Sequence, residues 1–232
     1  YGLRIANQFY NTSLGDTRGD ASAELNNTVI NAYSETGHSY GVDIDYSDKA
    51  EDEDHSVLLR SNGLMDVTAS TKSGTAHAIS LKGGATAEFL GDLTATATAT
   101  NGGKAYSVYL SEGSLAIAGA KTILNGDVLV ANAGTMQFGT PAKLRAQRLP
   151  SNVLLNGEMI TEGSTTVTFN QTEVELGAGS SMDIQGTANS TQSSIVVNEL
   201  LTEKKVVNVT RLSEQSTLGV VASSELNDKL GS

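Results

Sequence analysis

The chain has 232 residues, a formal charge of −11 and a pI near 4.6, and this acidity sets aside a nucleic-acid backbone as its main partner, because carboxylates and phosphates repel. It has no cysteine, which excludes a disulfide framework and thiolate metal sites, and no apolar run of the ~18 residues that a membrane helix needs. Hydrophobic residues make up 38% but aromatics only 5%, with no Trp and 24 Gly against 2 Pro, a composition that suits many short strands between turns rather than a compact globule.

The chain opens at Tyr1 with no signal peptide, as expected of a trimmed chain. Residues 1–27 are predicted to be irregular. They carry the tripeptide Arg18, Gly19, Asp20, which offers a guanidinium and a carboxylate on one tight turn. That is a candidate integrin-binding element, set against the frequency with which three residues match by chance.

Three segments then align without gaps: Gly37-His-Ser-Tyr-Gly-Val-Asp-Ile44, Gly74-Thr-Ala-His-Ala-Ile-Ser-Leu81 and Gly103-Lys-Ala-Tyr-Ser-Val-Tyr-Leu110. Every second residue belongs to one set: Tyr40, Val42, Ile44; His77, Ile79, Leu81; Tyr106, Val108, Leu110. A period of two predicts strands with each set on one face. A second strand follows each copy and runs to Gly63, Gly91 and Gly119, which are 28 residues apart. Leu59 and Ser61, Ala87 and Phe89, and Leu115 and Ile117 take matching places before them. A third strand precedes each copy, at residues 29–33, 67–71 and 93–98. The unit is strand, turn, strand, turn, strand. Residues 45–55 form an inserted loop. Further on, Ile123-Leu-Asn-Gly-Asp-Val-Leu129 matches Leu154-Leu-Asn-Gly-Glu-Met-Ile160, and strands are expected at residues 165–170, 173–176 and 181–184.

Each unit has one apolar face and cannot bury it alone. Stacking units in register pairs every strand in parallel with its equivalent one unit on, so that Val42, Ile79 and Val108 form one internal row and Ile44, Leu81 and Leu110 another. The predicted fold class is all-β, a right-handed parallel β-helix (solenoid) of about eight coils. Antiparallel meanders usually show paired strands joined by Asn-Gly two-residue turns, not a three-strand unit recurring near 28 residues, and leucine-rich repeats and WD-type propellers need leucines or aromatic signatures that this chain lacks.

The Gly-x-Ala-Tyr-Ser-Val-x-Leu element within Thr/Ala-rich strands resembles passenger domains of bacterial type V autotransporters. The tail adds to the likeness: Val206-Val-Asn-Val-Thr-Arg-Leu212, then Thr217-Leu-Gly-Val-Val-Ala-Ser-Ser-Glu-Leu-Asn-Asp-Lys-Leu-Gly231, is similar to the stretch where last coils give way to a helical linker. The resemblance implies a passenger over residues 1–222, and over 223–232 the start of a linker towards an outer-membrane barrel, with Ser224 as N-cap and Ser223 or Asn227 as alternatives. It implies a bacterial cell-surface or outer-membrane location, in which only the barrel meets the membrane. It carries over no catalytic residue; the Gly-Asp-Ser-Gly signature of the protease-bearing subgroup is absent. The expected partners are a host or bacterial surface protein or glycan, with no nucleic acid, and the expected state is a monomer.

Asp43, Asp45, Asp48, Glu51, Asp52, Glu53 and Asp54 with His55 could bind Ca²⁺, but the spacing is not that of an EF-hand, and a solvated loop is expected. His77 shares its place with Tyr40 and Tyr106 and reads as a ring in a stack; His38 and His55 are the other histidines. Tyr40, Tyr106 and Tyr109 would make a carbohydrate platform if exposed. Strict alternation puts Tyr40 and Tyr106 on the buried face and only Tyr109 opposite, so packing is expected. Asn11 and Asn170 open Asn-x-Ser/Thr triplets that matter only in a eukaryotic secretory route. Carboxylates are expected in turns and in the acidic loop. No cofactor, metal or catalytic residue is assigned, and a structural or adhesive surface role is expected, with a polysaccharide lyase or glycoside hydrolase as the alternative.

Overall fold

The computed structural model describes residues 1–6, 11–12, 15–16, 20–46, 56–140, 150–197 and 206–222. Among these residues every regular element is a strand, numbered here β1 to β22 in chain order. One sheet holds eight strands in sequence order: β5 (Thr28–Ser34), β8 (Met65–Thr71), β10 (Leu93–Ala99), β12 (Lys121–Asn125), β15 (Ser151–Asn156), β18 (Thr172–Leu176), β20 (Ser193–Val197) and β22 (Leu218–Ala222). A second sheet holds twelve: β1 (Leu3–Ala6), β4 (Ala21–Leu25), β6 (Ser39–Asp45), β7 (Val57–Ser61), β9 (Thr75–Phe89), β11 (Lys104–Ile117), β13 (Asp127–Ala131), β14 (Thr135–Phe138), β16 (Glu158–Thr161), β17 (Thr166–Asn170), β19 (Ser181–Thr191) and β21 (Val207–Leu212). All pairings in both sheets are parallel; the one antiparallel pair joins β2 (Asn11–Thr12) to β3 (Gly15–Asp16).

The register is the one the repeats predict. Val42 pairs with Ile79 and Ile79 with Val108, and Ile44, Leu81 and Leu110 run beside them, all fully buried. Ile123 pairs with Leu154 and Asn125 with Asn156; Val128 pairs with Met159. A third internal row is aromatic at its centre: Phe89, Ile117, Phe138 and Phe169 are successive partners, and the last two rings stack at 5.6 Å. These rows form one apolar core. At about 25 cal/mol per Å², burial of such rows is the main force that holds the rungs together.

Gly63, Gly91 and Gly119 lie at the bends that follow β7, β9 and β11. Their backbones approach so closely that a Cβ on Gly91 would sit 2.3 Å from the carbonyl oxygen of Gly63, and one on Gly119 2.2 Å from that of Gly91.

Three features differ from the sequence reading. In two of the three aligned copies the first turn is only a kink: β9 runs for 15 residues and β11 for 14, bent at Gly83 and Gly84 and at Glu112, which take positive φ. The segment read as irregular, residues 1–27, contributes two regular strands, since β1 pairs with β6 and β4 with β7. The repeat also shortens along the chain. Met65 to Leu93 spans 28 residues and Thr122 to Val153 spans 31, but Asn152 to Glu173 and Glu173 to Ser194 span 21 each. The expected acidic loop beyond Tyr46 and the expected helix at Ser223, Ser224 or Asn227 lie outside the described residues.

Candidate functional site

Among the described residues, a concentrated group of aromatic and charged side chains stands on β1, β6, β9 and β11, and a break in alternation puts it there. Val42, Ile79 and Val108 face the core, so Gly41, Ala78 and Ser107 should face out. They do not. A Cβ on Gly41 would meet Val67 Cγ1 inside the core at 2.4 Å, and Ala78 and Ser107 are fully buried. The Ser107 hydroxyl donates to the carbonyls of Gly126 (2.9 Å) and Asp127 (3.1 Å) at the neighbouring bend. Two consecutive residues therefore share the interior, which a β-bulge permits when the first is small, and the β11–β13 register shifts between Tyr106 and Val108.

The slip turns the preceding rings outward, correcting the expectation that Tyr40 and Tyr106 pack inside. Tyr1, Tyr40, His77 and Tyr106 form one external column with centroid separations of 5.0, 4.9 and 5.4 Å. Tyr109, which alternates with buried Val108 and Leu110, packs edge-on against His77 (5.1 Å) and Tyr106 (5.7 Å). Cations from outward positions complete the strip: Arg4 lies 5.2 Å from the Tyr1 centroid and Lys82 5.1 Å from that of Tyr40. Asp43, only 2% exposed, sits between them, 3.5 Å from Arg4 Nε and 3.7 Å from Lys82 Nζ. Arg4 also reaches Asp45 at 3.8 Å.

Burial pushes the His77 imidazole down to about 4, helped by the nearby Lys82 charge and by His38. The ring is therefore neutral at physiological pH. Its Nδ1 has no hydrogen-bond partner, and neither does the buried Ser80 hydroxyl on the same strand. The Tyr40 hydroxyl is shifted up, first by burial and then by Asp43, against the opposing pull of Lys82.

The expected site residues fall elsewhere. Arg18 and Gly19 lie outside the described residues. The Asp20 carboxylate accepts hydrogen bonds from the backbone N–H (2.7 Å) and hydroxyl (3.1 Å) of Ser56, which anchors the start of β4 to that of β7. Of the acidic run, Asp43 and Asp45 are strand residues held by Arg4 and Lys82, and the others, with His55, lie outside the described residues. Among the described residues, no three His, Cys, Asp or Glu side chains are grouped to hold a metal ion.

Carboxylates also stand on strands, contrary to expectation. Glu88 accepts from Arg60 across β7 and β9 at 2.6–2.8 Å. Glu173 and Glu175 line a groove of about 270 Å³ on the outer face of the eight-stranded sheet, together with Lys121, Ile123, Asn152 and Leu154. Hydroxyls and amides of that face pair across neighbouring strands. The Asn156 amide donates to Asn125 Oδ1 (2.8 Å), and the Asn125 amide to the Thr96 hydroxyl (3.0 Å).

No protein-family model, curated protein or solved structure matches the chain. Among the described residues, no helix is long and apolar enough to cross a membrane.

Proposed function

We propose that this chain is a right-handed parallel β-helix of about eight coils, displayed at a bacterial cell surface as an autotransporter-type passenger. Its role is structural and adhesive rather than catalytic. The coil count rests on the eight strands of one sheet, which lie in sequence order with one strand per repeat. The hand rests on chain chirality: crossovers between parallel strands of one sheet are right-handed in about 98% of cases.

The external aromatic strip carries the adhesive reading. Stacking in the column uses up the ring faces of Tyr40 and His77, so the strip offers ring edges and tyrosine hydroxyls, flanked by Arg4 and Lys82. Beside it lie sheet faces of Thr, Ser and Asn. Such a surface makes many weak polar contacts with glycans or with a polar protein surface, each small but repeated at the ~4.8 Å strand spacing. Retention of the immobilised chain on a glycan array and on cells is the direct test. Tyr109→Ala and Lys82→Ala should each reduce retention several-fold without changing the fold. Equal retention of the variants, or none by the parent chain, would refute it.

A polysaccharide-cleaving enzyme is the second reading, and the groove at Glu173 and Glu175 is what favours it. Both carboxylates rise from one strand, two residues apart, on one wall. Acid and base in glycoside hydrolysis stand on opposite sides of the scissile bond. Turnover of an acidic polysaccharide that Glu173→Gln or Glu175→Gln abolishes would replace the adhesive reading.

A further inference from the structure

The groove on the eight-stranded sheet joins opposite charges across an apolar strip. Lys121, Asn152 and Glu173 are successive partners across β12, β15 and β18, and so are Ile123, Leu154 and Glu175. Both rows face outward, because Thr122, Val153 and Val174, which alternate with them, are buried. Together the rows line the groove of about 270 Å³. Its cationic end on β12 and its anionic end on β18 lie two strand spacings apart, about 10 Å.

These charges are not spent within the fold. Arg4, Arg60, Lys72 and Lys82 each reach a carboxylate. Among the described residues Lys121 and Glu173 form no such pair, and Asn152 stands between them, which keeps them from closing on one another. A cation and a carboxylate held apart beside half-buried aliphatic side chains are complementary to a ligand with the reverse order of groups: an anion, an apolar stem and a cation.

We propose that the groove binds the C-terminal arginine or lysine of a peptide chain. The terminal carboxylate lies at Lys121, the methylene stem over Ile123 and Leu154, and the cationic head at Glu173 and Glu175. One extended basic residue spans the distance between the two ends. Its stem packs on apolar surface while its head stays in water. A free amino acid fits less well, because its α-ammonium group would stand beside the Lys121 ammonium. A peptide presents a neutral amide N–H there instead, which the Asn152 side-chain oxygen can accept. A simple diamine is disfavoured for the same reason, since its second cation would meet Lys121. The site lies on a different sheet from the aromatic strip and does not rest on the adhesive reading.

Isothermal titration of the full chain with acetyl-Gly-Gly-Arg, at low ionic strength, tests it. The expected Kd is on the order of 0.1–1 mM, as suits a short ligand in an open groove. Amidation of the peptide's C-terminus and Glu173→Gln should each weaken binding about two- to fivefold, the worth of one exposed charge pair. Lys121→Glu should reverse the preference, so that the amidated peptide binds more tightly than the free acid, an exchange that a purely structural role would not produce. Tyr109→Ala should leave the titration unchanged, which separates a failure of this groove from a failure of the adhesive strip. No binding by the parent chain at millimolar peptide, or equal affinity for free acid and amide, overturns the proposal. So does tighter binding of free arginine, or of an amino-sugar oligomer, than of the peptide.

Discussion

A ring buried among other rings makes His77 a reporter of its own environment. Its folded-state value of about 4 lies below the ordinary 6.5, so the unfolded chain takes up a proton that the folded chain refuses. Stability is unaffected above pH 6.5, falls as pH drops from 6.5 towards 4, and levels off below. The expected loss across that window is about 2–3 kcal/mol. His77→Phe keeps the stack and removes the proton, so the difference in urea midpoint between parent and variant should shrink or invert between pH 7.5 and 4.5; a constant difference would contradict the assignment. Close approach of backbones supplies a second test. Gly119→Ala forces a Cβ to 2.2 Å from the Gly91 carbonyl, whereas nothing lies within 4 Å of a Cβ on Gly102. Thermal melts should show Gly119→Ala as the more harmful, by about 2 kcal/mol or more, even though Gly102→Ala carries the strain of a positive φ.

At the scale of the strand, alternation made most of the core legible. Val42, Ile79 and Val108 could be placed in one row from period two and from repeat alignment alone, because a one-residue slip would have exposed the whole row. Ile79→Ala, at the centre of that row, should cost about 3 kcal/mol in chemical denaturation, while Val29→Ala on the exposed face should cost almost nothing. The external strip was not legible by the same rule, because two consecutive residues face inward at Gly41–Val42, Ala78–Ile79 and Ser107–Val108. The signal was present: each ring is followed by a small residue and then a β-branched one, and only a small first residue lets both share the interior. The positions of Arg4 and Lys82 over their rings depend on side-chain packing that no spacing encodes. The kink that replaces a turn in β9 and β11 was hidden for a similar reason, since Gly83, Gly84 and Glu112 read equally well as a loop.

For the molecule as a whole, each rung touches only the rungs above and below, so stability accumulates along one axis. Amide hydrogen exchange should be slowest around β9, β10 and β11, where rows are covered on both sides, and fastest in β5 and β22 at the edges. Uniform protection from end to end would argue against rung-by-rung stability.

The parallel ladder also has a mechanical meaning. Its hydrogen bonds run along the stacking axis, and the first and last rungs sit at opposite ends of that axis. Tension applied through the two ends therefore loads one rung at a time, like a zipper, rather than shearing many bonds together. A tether of this build should yield at modest force and lengthen in steps set by the repeat. With the chain reaching at most ~3.5 Å per residue, the 28-residue rungs near β8 and β10 should release about 100 Å each. The 21-residue rungs near β15 and β18 should release about 70 Å. Under flow, such a molecule would pay out slack in measured lengths and rewind when the load falls.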